Sequence, residues 1–157
     1  MKICVLGLLH LGTVIAACVA DKGHNVIGID HNQNSIKNLN DGTAPLFEPK
    51  LDELIKKGIN SGNLKFSYNI KDALINAEVL WVAIDTPVDN NDTADIGYVE
   101  DQVIKIIPFL HKNTIILISS QMPVGTIKKI ENFVLDSFPQ KKISFACSPE
   151  NLRLGSA

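Results

Sequence analysis

Ile3-Cys4-Val5-Leu6-Gly7-Leu8-Leu9-His10-Leu11-Gly12 opens the chain, and Asn25-Val26-Ile27-Gly28-Ile29-Asp30 follows after a short interval. Residues 3–6 are an apolar run typical of a buried strand, and the small apolar residues 14–20 indicate a helix. Residues 25–29 predict a second strand that ends at Asp30. A strand, a glycine-framed turn, a helix and a strand with a terminal acidic residue are the fingerprint of a dinucleotide-binding βαβ unit.

One position of this fingerprint departs from the pattern G-x-G-x-x-G. Leu9 stands in place of the middle glycine. That glycine normally lets the backbone approach the pyrophosphate, so a Cβ atom there must push the backbone or the pyrophosphate outward. We therefore expect dinucleotide binding to be weakened but retained. Asp30 is the expected partner of the adenosine ribose hydroxyls, although it is also a possible cap for the helix that follows.

The composition is that of an ordinary globular chain. Its 157 residues match one domain, with 45% hydrophobic and 20% charged residues. A net charge of −2 provides no basic field for nucleic acid or membrane surfaces, and no apolar run is long enough to span a membrane. The chain begins directly with a strand, so we expect no signal peptide and a cytoplasmic location. Cys4, Cys18 and Cys147 lack metal-like spacing and are predicted to be reduced core residues.

Strands and helices alternate along the rest of the chain. Further strands are predicted at residues 64–67, 78–84, 114–118 and 143–147, and helices near 35–39, 51–58, 71–75, 96–107 and 127–135. Near-continuous apolar strands separated by helices indicate a parallel sheet that is covered on both faces. The predicted fold class is therefore α/β, a doubly wound, mainly parallel six-stranded Rossmann-type sheet with helices on both faces, over residues 1–157.

Three predicted strands end in unusual polar segments. Asp85-Thr86-Pro87 follows one strand, residues 119–126 (Ser-Ser-Gln-Met-Pro-Val-Gly-Thr) follow the next, and Ser148-Pro149-Glu150 follows the last. Ligands of doubly wound sheets bind beyond the carboxyl ends of the strands. These segments are therefore the candidate binding and catalytic residues.

Together these motifs resemble the nucleotide-sugar dehydrogenases that oxidise UDP-glucose, UDP-N-acetylmannosamine or GDP-mannose at C6. The resemblance covers essentially the whole chain but only that family's N-terminal, NAD-binding domain. It rests on the turn 7–12, Asp30, the loop Pro45-x-x-Glu48-Pro49, Thr86-Pro87 and the segments 119–126 and 148–150. It implies an NAD-dependent oxidoreductase that converts the C6 alcohol of a UDP- or GDP-hexose to the acid with two NAD.

The resemblance also implies roles for individual residues. The backbone of Gly7, Leu8, Leu9, His10, Leu11 and Gly12 and the next helix's N-terminus would hold the pyrophosphate. Asp30 would bind the ribose and favour NAD over NADP. Asp85, Thr86 and Pro87 would line the adenosine-ribose side, and Ser119, Ser120 and Gln121 would reach the nicotinamide half. The implied catalytic residues are Ser120, which would help to position a water, and Glu150, which would assist proton transfer.

Four positions differ from the family's pattern. Ser35 stands where the family often has a basic residue near the adenosine, and Leu9 replaces the glycine described above. Asn151 and Leu154 replace the phenylalanine and the second glutamate of the family's Pro-Glu-Phe-Leu-x-Glu segment. The family's catalytic cysteine lies in a later domain, so we expect residues 1–157 to be catalytically incomplete. The implied partners are a nucleotide sugar and, in the parent enzyme, a second copy of the chain.

Several alternatives remain open on the sequence alone. The chain is also consistent with a non-catalytic Rossmann binding module, or with a β-hydroxyacid dehydrogenase, although Ser148-Pro149-Glu150 argues against the latter. His10 is either a phosphate contact or a surface residue, and Glu48 either contributes to the site or only caps the following helix. Trp81 is predicted to be core. The segment 89–95 loosely resembles a calcium loop, but Ala94 replaces the required glycine, so we predict no metal site.

Overall fold

The computed structural model describes residues 1–88, 91, 93, 95–150 and 152–155. Within these residues the strands form a single parallel sheet in the order β3-β2-β1-β4-β5-β6. The strands are Lys2–Leu6 (β1), Asn25–Ile29 (β2), Leu64–Ser67 (β3), Val79–Val82 (β4), Ile115–Ile118 (β5) and Ser144–Cys147 (β6). The predicted fold class is confirmed, and every strand pairing is parallel.

Helices connect the strands in the order that the sequence predicts. They are Leu11–Asp21 (α1), Gln33–Asn40 (α2), Leu51–Asn60 (α3), Ile70–Ala73 (α4), Ile96–Ile106 (α5) and Thr126–Ser137 (α6). Short 3-10 turns follow α5 and α6, at Ile107–Phe109 and Pro139–Lys141. In the described part of the chain, no helix is long and apolar enough to cross a membrane.

The sheet separates two hydrophobic cores because successive strand residues point to opposite faces. In β1, Ile3 and Val5 pack on one side, with buried residues of α1, α2 and α3. Cys4 and Leu6 pack on the other side, against residues that include Val103 and helix α6. The central strand β1 is therefore covered on both faces, as its continuous apolar sequence predicts.

Two helices begin at the polar caps that their sequences provide. Asn32 caps α2 by accepting from the amides of Asn34 and Ser35, and Asp95 caps α5 by accepting from the Tyr98 amide. The alternative in which Asp30 caps the helix after β2 is wrong, because Asn32 takes that position. The Asp30 carboxylate is left for contacts at the end of β2.

The prediction that the three cysteines are core residues holds for Cys4 only. Cys4 is 1% exposed, and its thiol donates to the Ala73 carbonyl. Cys18 and Cys147 are exposed. Cys18 lies on the outer side of α1, and Cys147 lies in β6, an edge strand whose residues are mostly exposed. An apolar sequence pattern does not distinguish an edge strand from a central one.

Trp81 is half-buried in β4 rather than fully enclosed. Its indole N–H donates to the Ser119 hydroxyl at 2.9 Å. The strand itself ends at Val82, two residues before the predicted end. Ala83 and Ile84 therefore belong to the connection after β4 and precede the polar segment that begins at Asp85.

Candidate functional site

A cleft of about 490 Å³ lies at the carboxyl ends of the central strands. It is the place where the strand order turns from β1 to β4, which is where doubly wound sheets bind ligands. Eight of the predicted site residues line it: His10, Leu11, Asp85, Thr86, Ser119, Ser120, Gln121 and Glu150. The three polar strand-end segments are therefore brought together at one edge of the sheet.

The glycine turn between β1 and α1 leaves no room for a side chain at Gly7 or at Gly12. Gly7 has φ +90°, and a Cβ there would lie 2.7 Å from the Ile84 Cα atom. A Cβ on Gly12 would lie 1.7 Å from the Gly7 carbonyl oxygen. Both glycines are therefore required by the backbone itself, which brings the N-terminus of α1 against the end of β4. That helix end is the part of the fold that attracts a phosphate group.

The two leucines of the turn have different environments. Leu8 is 2% exposed and belongs to the core shared with α1, so its side chain is unable to contact a ligand in the cleft. Leu9 is 49% exposed. The residue that replaces the middle glycine therefore places its side chain at the surface of the turn, and the fold accommodates it without burying it.

Asp30 is held at the end of β2 by two backbone amides. Its carboxylate accepts from the Leu8 N–H at 3.0 Å and from the Asn32 N–H at 2.9 Å, one bond on each oxygen. A carboxylate has about four acceptor positions, so two remain for the hydroxyls of a ribose. The Leu8 amide is engaged by Asp30, so any amides of the turn that contact a ligand begin beyond it.

His10 forms a contact that the sequence analysis did not foresee. Its Nε2 lies 2.8 Å from Glu48 Oε1, and the two side chains are 13% and 3% exposed. Glu48 was considered as a cap for the next helix, but α3 follows Lys50, and the Glu48 side chain turns toward the glycine turn. The His10 side chain is therefore mostly buried against Glu48, and the residue also lines the cleft.

Asp85 lies at the rim of the cleft, close to His10. Partial desolvation raises the pKa of its carboxyl, and the nearby His10 imidazole offsets part of this rise. The amide N–H groups of Asp85 and His10 also stabilise the charged form. The Asp85 side chain therefore lies in the same cleft as His10 and Leu11 at the N-terminus of α1.

The two serines after β5 have ordered hydroxyls. The Ser119 hydroxyl accepts from Trp81, and the Ser120 hydroxyl donates to the Ile84 carbonyl at 2.8 Å. Both residues are nearly buried, at 2% and 6% exposed. A serine hydroxyl that donates to a carbonyl retains its acceptor positions, so Ser120 presents acceptors at the wall of the cleft. The hydroxyl of Thr86 donates to the Gln121 carbonyl and joins the two strand-end segments.

The segment after β6 closes one side of the cleft. Glu150 and Leu152 line it, and the Gly155 amide donates to Glu48 Oε1. Leu154, one of the departures noted above, is 58% exposed. Asn151, the neighbouring departure, lies outside the described residues, as do residues 89, 90, 92 and 94 of the segment weighed as a calcium loop. Among the residues that the structure does describe, no cluster of ligating side chains fits a metal ion.

These features suit an extended ligand with an anionic centre. Asp30 lies beyond β2, the glycine turn and α1 lie beyond β1, and Ser120 lies beyond β5. These groups are therefore arranged side by side along the carboxyl edge of the sheet, in the spatial order of the strands. The residues present therefore fit a dinucleotide that lies across the strand ends with its pyrophosphate at α1.

Comparison with known proteins identifies the family. The model described as "UDP-glucose/GDP-mannose dehydrogenase family, NAD binding domain" matches residues 1–157. The chain belongs to this family. Its cofactor is NAD, because the matched domain is the family's NAD-binding domain. The resemblance inferred from the strand-end motifs and the cofactor prediction are both confirmed.

Individual relatives agree with this assignment. The chain is 34% identical over 158 residues to the UDP-glucose 6-dehydrogenase of Rhizobium meliloti (strain 1021), covering 100% of this chain and 36% of that protein. It superposes on a GDP-mannose dehydrogenase from Pseudomonas aeruginosa with a TM-score of 0.89 at 28% identity, covering 99% of this chain and 37% of that one. For a UDP-D-ManNAc dehydrogenase from Pyrococcus horikoshii the TM-score is 0.90 at 27% identity, with coverages of 99% and 37%.

The chain therefore spans little more than a third of the length of these relatives. The family match also decides one alternative, since it assigns the whole chain to the nucleotide-sugar dehydrogenases rather than to the β-hydroxyacid dehydrogenases.

The sequence analysis missed the part that Glu48 plays at the turn. Glu48 and His10 are 38 residues apart, so no local spacing reveals the pair. The one available signal is the position of Glu48 in a proline-containing loop that was already part of the family resemblance.

Proposed function

We propose that residues 1–157 form the NAD-binding domain of an enzyme that oxidises the C6 alcohol of a UDP- or GDP-hexose to the uronic acid, using two NAD. The observation that carries this proposal is the meeting of Ser120 and Glu150 with the glycine turn at one cleft. Family membership supports an oxidoreductase of nucleotide sugars.

The cofactor-binding roles follow from charge and position. The amides between Leu9 and Gly12 and the N-terminus of α1 would hold the pyrophosphate. Asp30 would accept the hydroxyls of the adenosine ribose, and its charge would repel the 2′-phosphate of NADP. Asp85, Thr86 and Pro87 would line the ribose side, and Ser119 and Gln121 would face the nicotinamide half.

When bound at this site, NAD would supply the acceptor for the hydride that leaves the sugar carbon. Two residues of this chain would position a water and accept a proton beside the sugar. The Ser120 hydroxyl, fixed by its bond to the Ile84 carbonyl, would accept a hydrogen bond from a water beside the sugar. The Glu150 carboxylate would take up a proton released in the oxidation.

Residues 1–157 are proposed to bind NAD without completing the oxidation. The resemblance implies a cysteine nucleophile for the second step, and no cysteine lines the described part of the cleft. Burial raises the pKa of the Cys4 thiol to about 12, which leaves it without thiolate character. Cys18 lies on α1 and Cys147 on β6, and neither is among the described residues that line the cleft.

An assay of the protein from the full reading frame tests this function. NADH formation is measured with UDP-glucose, GDP-mannose and UDP-N-acetylmannosamine, and we expect one of them to yield two NADH per sugar. Glu150→Gln should lower kcat more than it raises the Kd for NAD, whereas Glu131→Gln on α6 is the matched control and should change neither. Binding of NAD without oxidation of any of these sugars would favour the non-catalytic binding module.

A further inference from the structure

Three titratable side chains meet at the N-terminus of α1 and form what we call the His10 cluster: His10, Glu48 and Asp85. They come from distant parts of the chain, namely the glycine turn, the loop before α3 and the segment after β4. The proposed function uses Asp85 only as a wall residue and does not use Glu48 at all. Because all three lie beside the glycine turn, their charges would act on a pyrophosphate bound there.

The His10–Glu48 contact is well shielded from water. The imidazole nitrogen and the carboxylate oxygen are 2.8 Å apart, and the Glu48 side chain is 3% exposed. A buried carboxylate is costly unless it is paired and hydrogen-bonded. Glu48 accepts from both His10 and the Gly155 amide, which keeps the imidazole fixed beside the turn.

Asp85 adds a second carboxylate at the same helix end. Asp85 and His10 line the same cleft. Partial desolvation raises the pKa of the Asp85 carboxyl, and the nearby His10 offsets part of this rise. A pyrophosphate held by the amides of the turn would stand beside this carboxylate. Two anionic groups at one helix N-terminus repel each other unless a proton is added between them.

Other charged groups lie around the cleft. Arg153 lies between Leu152, which lines the cleft, and Gly155, whose amide donates to Glu48, but Arg153 is not itself among the described lining residues. Asp30 lies beyond β2, bonded to the Leu8 amide, and Glu150 lies beyond β6 on the opposite wall. No lysine or arginine is among the described residues that line the cleft. His10 is the one histidine among the described residues that line the cleft.

We propose that cofactor binding takes up a proton at the His10 cluster, on the His10 imidazole or the Asp85 carboxyl. This inference rests on the proposed cofactor site. The proton comes from solvent, and it lowers the negative charge that the pyrophosphate meets at α1. Glu48 is a positioning residue here, since it acts on the cofactor through His10. The affinity for NAD therefore falls as the pH rises, by up to about tenfold per pH unit for one proton.

Titration calorimetry with NAD and the 157-residue chain measures this coupling. Kd is determined at about pH 6, 7 and 8, which brackets histidine titration, and each titration is repeated in two buffers with different ionisation enthalpies. We expect net uptake of up to about one proton and a Kd that rises with pH. ADP-ribose, which keeps the pyrophosphate and lacks the nicotinamide, should show the same uptake.

Variants assign the proton to the cluster. Asp85→Asn removes the second carboxylate, so it should tighten binding at high pH and reduce the slope of log Kd against pH. His10→Gln should weaken binding at low pH and also flatten the profile. Glu48→Gln should shift the uptake to lower pH with the fold intact. Asp136→Asn, the same change on an exposed carboxylate of α6, should keep the wild-type slope.

Two results separate this inference from the cofactor assignment. If wild type binds NAD with no proton uptake, or if Asp85→Asn and His10→Gln both keep its slope, the coupling is refuted while the cofactor site stands. If NAD does not bind at any pH, the cofactor site itself fails and the coupling fails with it. Circular dichroism checks the fold of each variant, and if His10→Gln does not fold, Asp85→Asn at the exposed rim decides the outcome.

Discussion

At the scale of the single residue, Leu9 sets how closely a pyrophosphate approaches the turn. Its side chain is 49% exposed, so removing it leaves the core unchanged. Leu9→Gly should lower the Kd for NAD by about threefold to tenfold, or about 0.7–1.4 kcal/mol, because the backbone then approaches the phosphates. Titration calorimetry gives the value, with Leu9→Ala as the matched control that retains the Cβ. An equal gain from both variants would mean that the leucine side chain, and not the Cβ, limits binding.

Gly12 tests the packing of the same turn. Because its Cβ would lie 1.7 Å from the Gly7 carbonyl oxygen, Gly12→Ala should lower the free energy of unfolding by about 1–3 kcal/mol. The control is Gly97→Ala in α5, where the nearest atom lies 3.5 Å from the added Cβ and helix propensity favours alanine by up to about 1 kcal/mol. Urea denaturation measures both. A Gly12→Ala variant as stable as wild type would contradict the close approach of α1 to the Gly7 carbonyl group.

Among the secondary-structure elements, the position of a strand in the sheet determines the exposure and the reactivity of its cysteine. Cys4 in the central strand β1 is buried, and the pKa of its thiol is raised to about 12, whereas Cys147 in the edge strand β6 is exposed. Burial and the charge of Asp21 also raise the pKa of the Cys18 thiol. We expect Cys147 to react first with a disulfide reagent such as DTNB, Cys18 more slowly, and Cys4 only on unfolding. Rapid reaction of Cys4 in the native protein would contradict the burial of β1.

Local sequence predicted most of the strands and helices. It failed where contacts between residues distant in the chain determine a helix start or the exposure of a strand. The strand Asn25–Ile29 and the strand Leu64–Ser67 match their predicted bounds, because alternating or continuous apolar residues end at turn residues. The start of α2 was missed because both Asp30 and Asn32 are good caps and only the tertiary contact of Asp30 with Leu8 separates them. The exposure of β6 depends on strand order, which no local pattern contains.

At the scale of the whole molecule, strand order creates the site. The order β3-β2-β1-β4-β5-β6 places the ends of β1 and β4 side by side, so segments more than 70 residues apart in the chain share one cleft. Strand-end motifs predicted most of the residues that line it, because parallel strands present their carboxyl ends at one edge. The His10–Glu48 pair was not predictable in this way, since Glu48 comes from a loop and not from a strand end.

The cofactor site proposed for residues 1–157 binds NAD across the strand ends, with Asp30 at the adenosine ribose. Calorimetric titration of the chain with NAD and with NADP tests this arrangement. We expect saturable binding of NAD and an affinity for NADP lower by about tenfold or more, or about 1.4 kcal/mol, because the 2′-phosphate meets the Asp30 carboxylate. No binding at millimolar NAD, or a preference for NADP, would contradict it.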